Sequence, residues 1–460
     1  MFSNSVVGLA LLLRVAPSVA TPASNISPRD IVGTATISLA MPSNTPSHLA
    51  SGFIYGLPDS ADGSANFSIP DPLVKGMGFN YNRAGGAQIT SLGWIAGEFE
   101  GRFLSALSNY RTTRTYGGPF QLLVHDLWGA DGLQGSDAVW PGDDGDWTNF
   151  DAFLDTLISE IIANDMMEGL EIDIWNEPDG TNFWGTSQNQ YLEMWKHSYQ
   201  RFRAELPDVL LVGPSTAFSP TAESDWWHNF AAFISQEDCV PDIYSYHLLD
   251  PNANLRVTFD VLNGFRQTYG LPERPLVINE YGSLDGEQTP AGAAWYIGQF
   301  ERYNVAGLRA NWAGGYELHD FLANLLGKGN KGYFPVGEWQ VYNYYTMNMT
   351  GQRVATSSSA DDVFEVFATH EDRADSVKIL AAVRPVAGIQ SYDITVTGLS
   401  TLGIQDSVKV QTHRYDDAGW RTEVDAPVDL GIVEHSVVND QITFWVTPET
   451  SSTAYTFQFV

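Results

Sequence analysis

The chain has 460 residues, of which 17% are charged and 13% aromatic, a composition typical of a globular protein rather than a disordered one. Its formal net charge of −31 at pH 7 argues against binding to nucleic acid or to an anionic membrane, because both require a basic surface. The length allows one domain of barrel size and a smaller second domain.

The first twenty residues have the pattern of a secretory signal peptide. An apolar run at residues 6–13 precedes Ser18, Val19 and Ala20, small residues of the kind that a signal peptidase recognises. The run is far shorter than the roughly 20 residues that a membrane span needs. We therefore expect residues 1–20 to be a signal peptide, residues 21–30 to be flexible, and the protein to be secreted into the extracellular space.

The cysteine and histidine content of the sequence argues against a disulfide and against a metal site. Cys239 is the only cysteine, so no intramolecular disulfide forms, and its place before an apolar run favours a buried structural thiol. There is no HExxH motif, no Cys/His cluster and no phosphate-binding glycine pattern after a strand, so we expect neither a metal nor a cofactor. Three sequons, at Asn25, Asn66 and Asn348, would permit glycosylation in a eukaryotic secreted protein.

Strand-like apolar runs alternate with helix-like segments between residues 31 and 345. Several of the runs are apolar throughout, as parallel strands covered on both faces are. Eight alternations over about 300 residues favour a (β/α)8 TIM barrel over an open sheet. The predicted strands are 51–56, 78–83, 120–125, 170–177, 209–213, 243–247, 275–280 and 307–312, and the clearest helices are 150–167, 191–206 and 291–303.

The pattern changes near residue 346. From there to residue 460, short segments alternate apolar with polar residues and are separated by turn residues, which predicts a C-terminal β-sandwich domain. The early segment 31–45 contains a similar run and is available to add a strand to this domain. We therefore expect a catalytic barrel over residues 31–345 and a β-sandwich domain over residues 346–460.

Two glutamates stand at the ends of predicted barrel strands, each preceded by asparagine. Glu177 lies in the run WNEP at the end of the fourth strand, and Glu280 lies in INEY at the end of the seventh. Polar residues at the carboxyl ends of barrel strands are where catalysis takes place in this fold. Two carboxylates in such positions are the equipment needed to cleave a glycosidic bond.

These motifs resemble glycoside hydrolase clan A, the retaining (β/α)8 enzymes, in which Asn-Glu-Pro follows strand four and a second Glu follows strand seven. With a β-domain beside the barrel, the chain looks like a secreted, fungal member of glycoside hydrolase family 39, the family of β-xylosidases and α-L-iduronidases. The resemblance implies that Glu177 is the general acid/base and Glu280 the nucleophile. It also implies a carbohydrate substrate and no protein partner.

Further residues at strand ends are carried over as candidates for substrate binding. Asn176 would bind the sugar 2-hydroxyl, but strict strand alternation would point Asn176 and Glu177 to opposite faces, so the strand must be irregular there. Either Tyr246 or His247 would hydrogen-bond Glu280. The remaining candidates are Arg83 beside the nucleophile, Trp312 as a sugar-stacking surface, and His125 and Trp128 as pocket lining.

Several alternatives stay open from the sequence. The same motifs occur in exo-glycosidases and endo-glycanases, so the sugar, the linkage and the mode of action are undecided. Another clan A hydrolase, endo-glucanase-like or β-glucuronidase-like, has the same pair of glutamates. The alternative from another class is a non-catalytic carbohydrate-binding cell-wall protein on a hydrolase scaffold.

Overall fold

The computed structural model describes residues 30–460 except residues 88, 90, 132–137 and 285. The predicted signal peptide and the sequon at Asn25 therefore lie outside the described residues. The first described strand is β1 (Ile31–Pro42), which runs parallel to one strand of the C-terminal domain and antiparallel to another. Within the described part of the chain, no helix is both long enough and apolar enough to cross a membrane.

Eight parallel strands then close into a barrel, each paired with the next and the last paired with the first. The interior-facing residues alternate with residues that contact the surrounding helices, as in other barrels. The strands are β2 (Gly52–Ile54), β3 (Tyr81–Ala84), β4 (Phe120–Leu123), β5 (Leu170–Asp173), β6 (Leu210–Thr216), β7 (Ile243–Leu248), β8 (Leu276–Tyr281) and β9 (Ala306–Arg309).

Helices surround the barrel, and several of them bury one apolar face against it. Good N-caps begin several of them: the hydroxyl of Ser187 accepts a hydrogen bond from a backbone N–H in the first turn, and Ser224 and Thr289 do the same in theirs. The helices are α1 (Asp71–Gly76), α2 (Phe99–Thr115), α3 (Val124–Trp128), α4 (Thr148–Ala163), α5 (Gln188–Glu205), α6 (Asp225–Gln236), α7 (Leu255–Tyr269), α8 (Pro290–Tyr303) and α9 (Gly337–Met347).

A hairpin follows the last barrel strand, and the C-terminal strands form one nine-stranded sheet with β1. Strands from both ends of that sheet contribute to a single apolar core, so the sheet folds over on itself. The hairpin is β10 (Leu326–Gly329) and β11 (Gly332–Pro335); the sheet adds β12 (Gln352–Ser357), β13 (Phe364–His370), β14 (Lys378–Val383), β15 (Ser391–Thr397), β16 (Ser407–Tyr415), β17 (Val428–Ser436), β18 (Gln441–Val446) and β19 (Ala454–Phe459).

Helix α8 joins the two parts of the molecule. Its residue Arg302 forms a two-point ion pair with Glu365 of β13, with distances of 2.5 and 2.8 Å, and Glu365 is fully buried. Nearby, Arg384 pairs with Glu287 at 2.7 Å and lies over the ring of Trp295. Bidentate, buried pairs of this kind fix orientation as well as contributing binding energy.

The predicted (β/α)8 barrel with a C-terminal β-rich domain is confirmed. Several predicted strands and helices end earlier in the structure than expected. The predicted third strand ends at Leu123, and residues 124–128 form the helical turn α3, so His125 lies on a turn and not on a strand. The helix predicted to end at Met167 ends at Ala163. Cys239 is buried, as expected for a structural thiol, and burial raises its pKa to about 12.

Candidate active site

The carboxyl ends of the barrel strands surround a cavity of 380 Å³. Because parallel strands all end at the same mouth of a barrel, residues far apart in sequence meet there. Five of the residues singled out in the sequence line this cavity: His125, Asn176, Glu177, Glu280 and Trp312.

Irregular backbone brings Asn176 and Glu177 to the same cavity. Strand β5 ends at Asp173, so the two residues are not bound by strand alternation. Glu177 has a φ of 47°, in the left-handed region that non-glycine residues seldom adopt. Its backbone N–H donates to the carbonyl oxygen of Ser215 at 2.8 Å, which holds the conformation. The backbone is thus irregular here, as the sequence pattern required for Asn176 and Glu177 to reach the same cavity.

A bulge at the end of β8 likewise directs two consecutive residues toward the barrel interior. Tyr246 pairs with Ile278 and His247 pairs with Glu280, so Asn279 is an extra residue in the ladder. As a result, Asn279 and Glu280 both point into the barrel. The side-chain nitrogen of Asn279 lies 3.0 Å from Oδ2 of Asp173, beneath the cavity floor.

Arg83 connects the residues beneath and within the cavity. Its side chain is fully buried, and it contacts Oε1 of Glu280 through Nη1 at 2.8 Å and Oδ1 of Asn176 through Nη2 at 2.7 Å. Its Nε lies 2.9 Å from Oδ2 of Asp173, which is also fully buried. Burial acts to lower the pKa of Arg83, but Asp173 and Glu280 outweigh it, so the pKa is raised and the guanidinium stays charged.

Replacing Arg83 with methionine is expected to destabilise the fold by about 3–5 kcal/mol, because it leaves the buried carboxylate of Asp173 without its cationic partner. Urea unfolding followed by tryptophan fluorescence measures this loss. The matched control is Arg256→Met, since Arg256 is 46% exposed and its pair with Asp362 is expected to contribute at most about 1 kcal/mol. Equal losses in the two variants would contradict the structural role assigned to Arg83.

His247 lies between the two glutamates. Its Nδ1 is 3.0 Å from Oε1 of Glu177, and its Nε2 is 3.7 Å from Oε1 of Glu280. Burial lowers the pKa of His247 to about 4, against the attraction of Glu280, so the ring is neutral near neutral pH. A neutral ring has one donor nitrogen and one acceptor. When Glu177 is ionised, the Nδ1 proton is therefore directed at its carboxylate.

The two glutamates differ in their surroundings. Burial raises the pKa of Glu177 above its ordinary value, against the opposing effects of Arg83 and His125. Glu280 instead receives a direct ion pair from Arg83, which neutralises its charge and fixes its position. One carboxyl group is thus favoured in its protonated form, and the other is held beside a permanent positive charge. The two carboxyl groups therefore lie in different electrostatic surroundings.

Glu177, His247 and Glu280 together have the composition of a metal site. One oxygen each from Glu177 and Glu280 and one ring nitrogen of His247 lie within 4.8 Å of one another. However, Oε1 of Glu280 already contacts the guanidinium of Arg83, and a cation bound there would be repelled by it. The guanidinium of Arg83 therefore disfavours a metal ion at this oxygen of Glu280.

Two sequence-based candidates lie away from the cavity. Tyr246 is fully buried, and its hydroxyl donates to Thr258 of α7 at 2.8 Å, because strand alternation directs it outward while His247 points inward. Trp128 is 1% exposed and packs on the rings of Phe150 and Phe153, because α3 turns it toward α4. Neither Tyr246 nor His247 makes the predicted hydrogen bond to Glu280, because Tyr246 points outward and Nε2 of His247 is 3.7 Å from Oε1 of Glu280, beyond hydrogen-bond distance.

The other candidates remain at the cavity wall. Trp312 lies three residues beyond β9, is partly exposed, and donates its indole N–H to the carbonyl oxygen of Gly282 at 3.0 Å. His125 lies against Asp126, with Nε2 2.9 Å from Oδ1. Sequence reasoning missed Tyr55, which also lines the cavity and donates its hydroxyl to Asp126. No motif in the sequence marked Tyr55, which is carried on a turn after β2.

Comparison with known protein families gives a match to the Glycosyl hydrolase catalytic core over residues 171–301. This region contains both Glu177 and Glu280. A curated relative, the 3-O-α-D-galactosyl-α-L-arabinofuranosidase of Bifidobacterium longum subsp. longum, is 24% identical over 260 residues. That match covers 51% of this chain and 21% of the relative, so the chain spans about a fifth of the relative's length.

Solved structures are similar over nearly the whole chain. The protein N2152 from Neocallimastix frontalis has 23% identity and a TM-score of 0.72, with 94% of this chain and all of the other covered. The GH39 enzyme from Xanthomonas axonopodis pv. citri has 15% identity and a TM-score of 0.54, with 93% and 97% covered. At these identities the likeness concerns the fold. Together with the matched catalytic core, the findings support a glycoside hydrolase.

Proposed function

We propose that the protein is a retaining glycoside hydrolase that cleaves O-glycosidic bonds by double displacement. The observation that carries the proposal is the pair of carboxylates facing one cavity, with an oxygen of Glu177 and an oxygen of Glu280 within 4.8 Å. In retaining enzymes the two carboxyl groups are about 5–5.5 Å apart, whereas inverting enzymes keep about 6.5–9.5 Å for a water molecule. The short separation supports the retaining mechanism.

In the first step, the carboxylate of Glu280 attacks the anomeric carbon and forms a glycosyl ester. The bond from that carbon to the leaving oxygen breaks, and the proton of Glu177 goes to this oxygen. In the second step, Glu177 removes a proton from water while the water oxygen attacks the anomeric carbon. The ester bond to Glu280 then breaks, and both carboxyl groups return to their starting forms.

The neighbouring residues support these steps. Arg83 keeps the free carboxylate of Glu280 in place through the 2.8 Å ion pair. Arg83 also donates a hydrogen bond to Oδ1 of Asn176. Because that oxygen is occupied, the amide nitrogen of Asn176 is the group that can donate to a sugar hydroxyl. We assign Trp312 as the wall on which the sugar ring packs, because aromatic faces pack well on the C–H faces of sugars.

The lining of the 380 Å³ cavity favours a neutral sugar. Among its described residues there is no lysine or arginine, and the charged groups include Asp126, Asp131, Glu177 and Glu280. A uronic acid would bring another negative charge into this acidic cavity, where Arg83, which lies beneath it, is already paired with Asp173 and Glu280. The proposal therefore favours neutral glycosides over the β-glucuronidase-like alternative.

A panel of 4-nitrophenyl glycosides and polysaccharides at mildly acidic pH tests the proposal. The panel includes the β-D-xyloside and β-D-glucoside, the α-L-arabinofuranoside, and the β-D-glucuronide as the acidic comparison. We expect release of sugar from a neutral member of the panel. Affinity for a glycan without hydrolysis of any member would favour the carbohydrate-binding alternative.

The pH dependence of kcat/KM follows from the raised pKa of Glu177. Because the general acid must carry its proton, kcat/KM is expected to fall as the pH rises through that pKa, which lies above the ordinary value of about 4.3. In Glu177→Gln the amide does not titrate, so this alkaline limb should vanish from the residual activity on a 2,4-dinitrophenyl glycoside. An unchanged alkaline limb in the variant would assign it to another group.

A further inference from the structure

A second, larger cavity of 910 Å³ adjoins the first one. It lies between the segment 217–223, which follows β6, and the segment 249–261, which runs from the end of β7 into α7. Glu177 lines both cavities, but Glu280 lines only the smaller one. The candidate acid/base is therefore the boundary between the two spaces.

If the proposed function holds, this arrangement indicates which part of the substrate each cavity binds. The nucleophile must reach the anomeric carbon, so the sugar that becomes attached to Glu280 occupies the 380 Å³ cavity. The general acid touches the leaving oxygen, and whatever that oxygen carries lies on the far side of Glu177. The 910 Å³ cavity is thus placed to receive the leaving group.

The most exposed apolar side chain of this cavity is Phe218, which is 70% exposed. Its backbone is fixed nonetheless: the N–H donates to Oδ2 of Asp179 at 3.1 Å, and its carbonyl oxygen accepts from the hydroxyl of Thr216 at 2.9 Å. The N–H of Ala217 donates to the other oxygen of Asp179 at 2.8 Å. Asp179 lies two residues after Glu177, so the segment that carries the candidate acid/base also holds the backbone that carries Phe218.

The rest of the lining defines the chemistry of the leaving group. The walls are mostly apolar or hydroxyl-bearing, and they include Val257 and Val261 of α7. The ionisable members of the lining are Glu177, Glu223 and Asp250, all acidic, so an anionic group would be repelled. A neutral sugar ring or an aromatic alcohol, with one flat apolar face, matches both the ring and the charge.

We propose that Phe218 is a specificity-determining residue that stacks on a neutral, flat-faced leaving group bound in the 910 Å³ cavity. A rigid aromatic side chain offers contact area at a small loss of conformational freedom, which favours binding. Because the contact involves the leaving group alone, it contributes only to substrates that possess one of sufficient size.

The test compares the 4-nitrophenyl glycoside and the glycosyl fluoride of one sugar in one anomeric configuration. That sugar is the one that the native protein hydrolyses in the panel. Fluoride is too small to reach Phe218. Phe218→Ala is expected to lower kcat/KM for the aryl glycoside about 10-fold and to leave the fluoride unchanged. Phe218→Trp should retain near-native values for both substrates.

The matched control is Phe67→Ala, because Phe67 is 55% exposed and lies outside both cavities. It should leave both substrates unaffected. An equal fall for the aryl glycoside and the fluoride in Phe218→Ala, or no fall for either, would overturn the proposal. If the native protein hydrolysed neither substrate of any sugar, the hydrolase function itself would fail and this inference with it.

Discussion

Replacing Glu280 with glutamine is expected to lower kcat at least about 10⁴-fold, the order of magnitude that loss of a covalent nucleophile costs. The amide has nearly the shape of the carboxylate but cannot form the glycosyl ester. The fold should survive, because the oxygen of the amide can still accept the hydrogen bond from Arg83, which lies 2.8 Å from the native carboxylate. Release of 4-nitrophenol from the accepted glycoside measures the loss.

Two further measurements make this result specific. Glu100→Gln removes one negative charge from an exposed position on α2 and should keep native activity. Sugar affinity, measured by titration, should persist in Glu280→Gln, because the cavity and its aromatic wall are unchanged. Full turnover in Glu280→Gln would remove the nucleophile assignment and favour a protein whose sugar site does not use this carboxylate.

Replacing Glu177 with alanine is expected to have an effect that depends on the leaving group. For a poor leaving group the loss should be about 10²–10⁴-fold, since the departing oxygen is no longer protonated. Azide should then raise the rate with an activated glycoside and yield a glycosyl azide of unchanged anomeric configuration. The reason is that azide attacks the ester at Glu280 without needing a base. Chromatography and NMR of the product identify the azide.

The neighbouring carboxyl group of Asp179 supplies the control for Glu177. Asp179 holds the segment of Ala217 and Phe218 by its two oxygens and has no direct part in proton transfer. Asp179→Asn should therefore gain nothing from azide, whatever its own rate. Azide rescue of Asp179→Asn, together with its absence in Glu177→Ala, would transfer the acid/base role to Asp179.

Much of the fold was predictable because parallel barrel strands leave a strong signal. Asn-Glu follows shortly after β5 and lies within the last residues of β8, so both strands and the residues at their carboxyl ends could be located from the sequence. Arg83, Asn176, Glu177, His247 and Glu280 do meet within one network. The roles assigned to these residues, like the secretion signal in residues 1–20, stay predictions.

The remainder depended on local geometry that residue patterns do not encode. Tyr246 and His247 are neighbours on one strand and point to opposite faces, and the bulge at Asn279 then pairs His247 with Glu280. Trp128 followed a predicted strand, but α3 turned it into the core. Asp173 was missed because a carboxylate within an apolar run carries no motif. Its partner Arg83 identifies it only once the barrel has closed.

The most direct test of the double-displacement account is the stereochemistry of the sugar first released. Proton NMR of the accepted glycoside, recorded during the first minutes of hydrolysis, distinguishes the two anomers before they interconvert. Because one carboxylate oxygen of Glu177 and one of Glu280 lie within 4.8 Å of each other, we expect the product to retain the anomeric configuration of the substrate. Initial release of the opposite anomer would contradict the covalent role of Glu280.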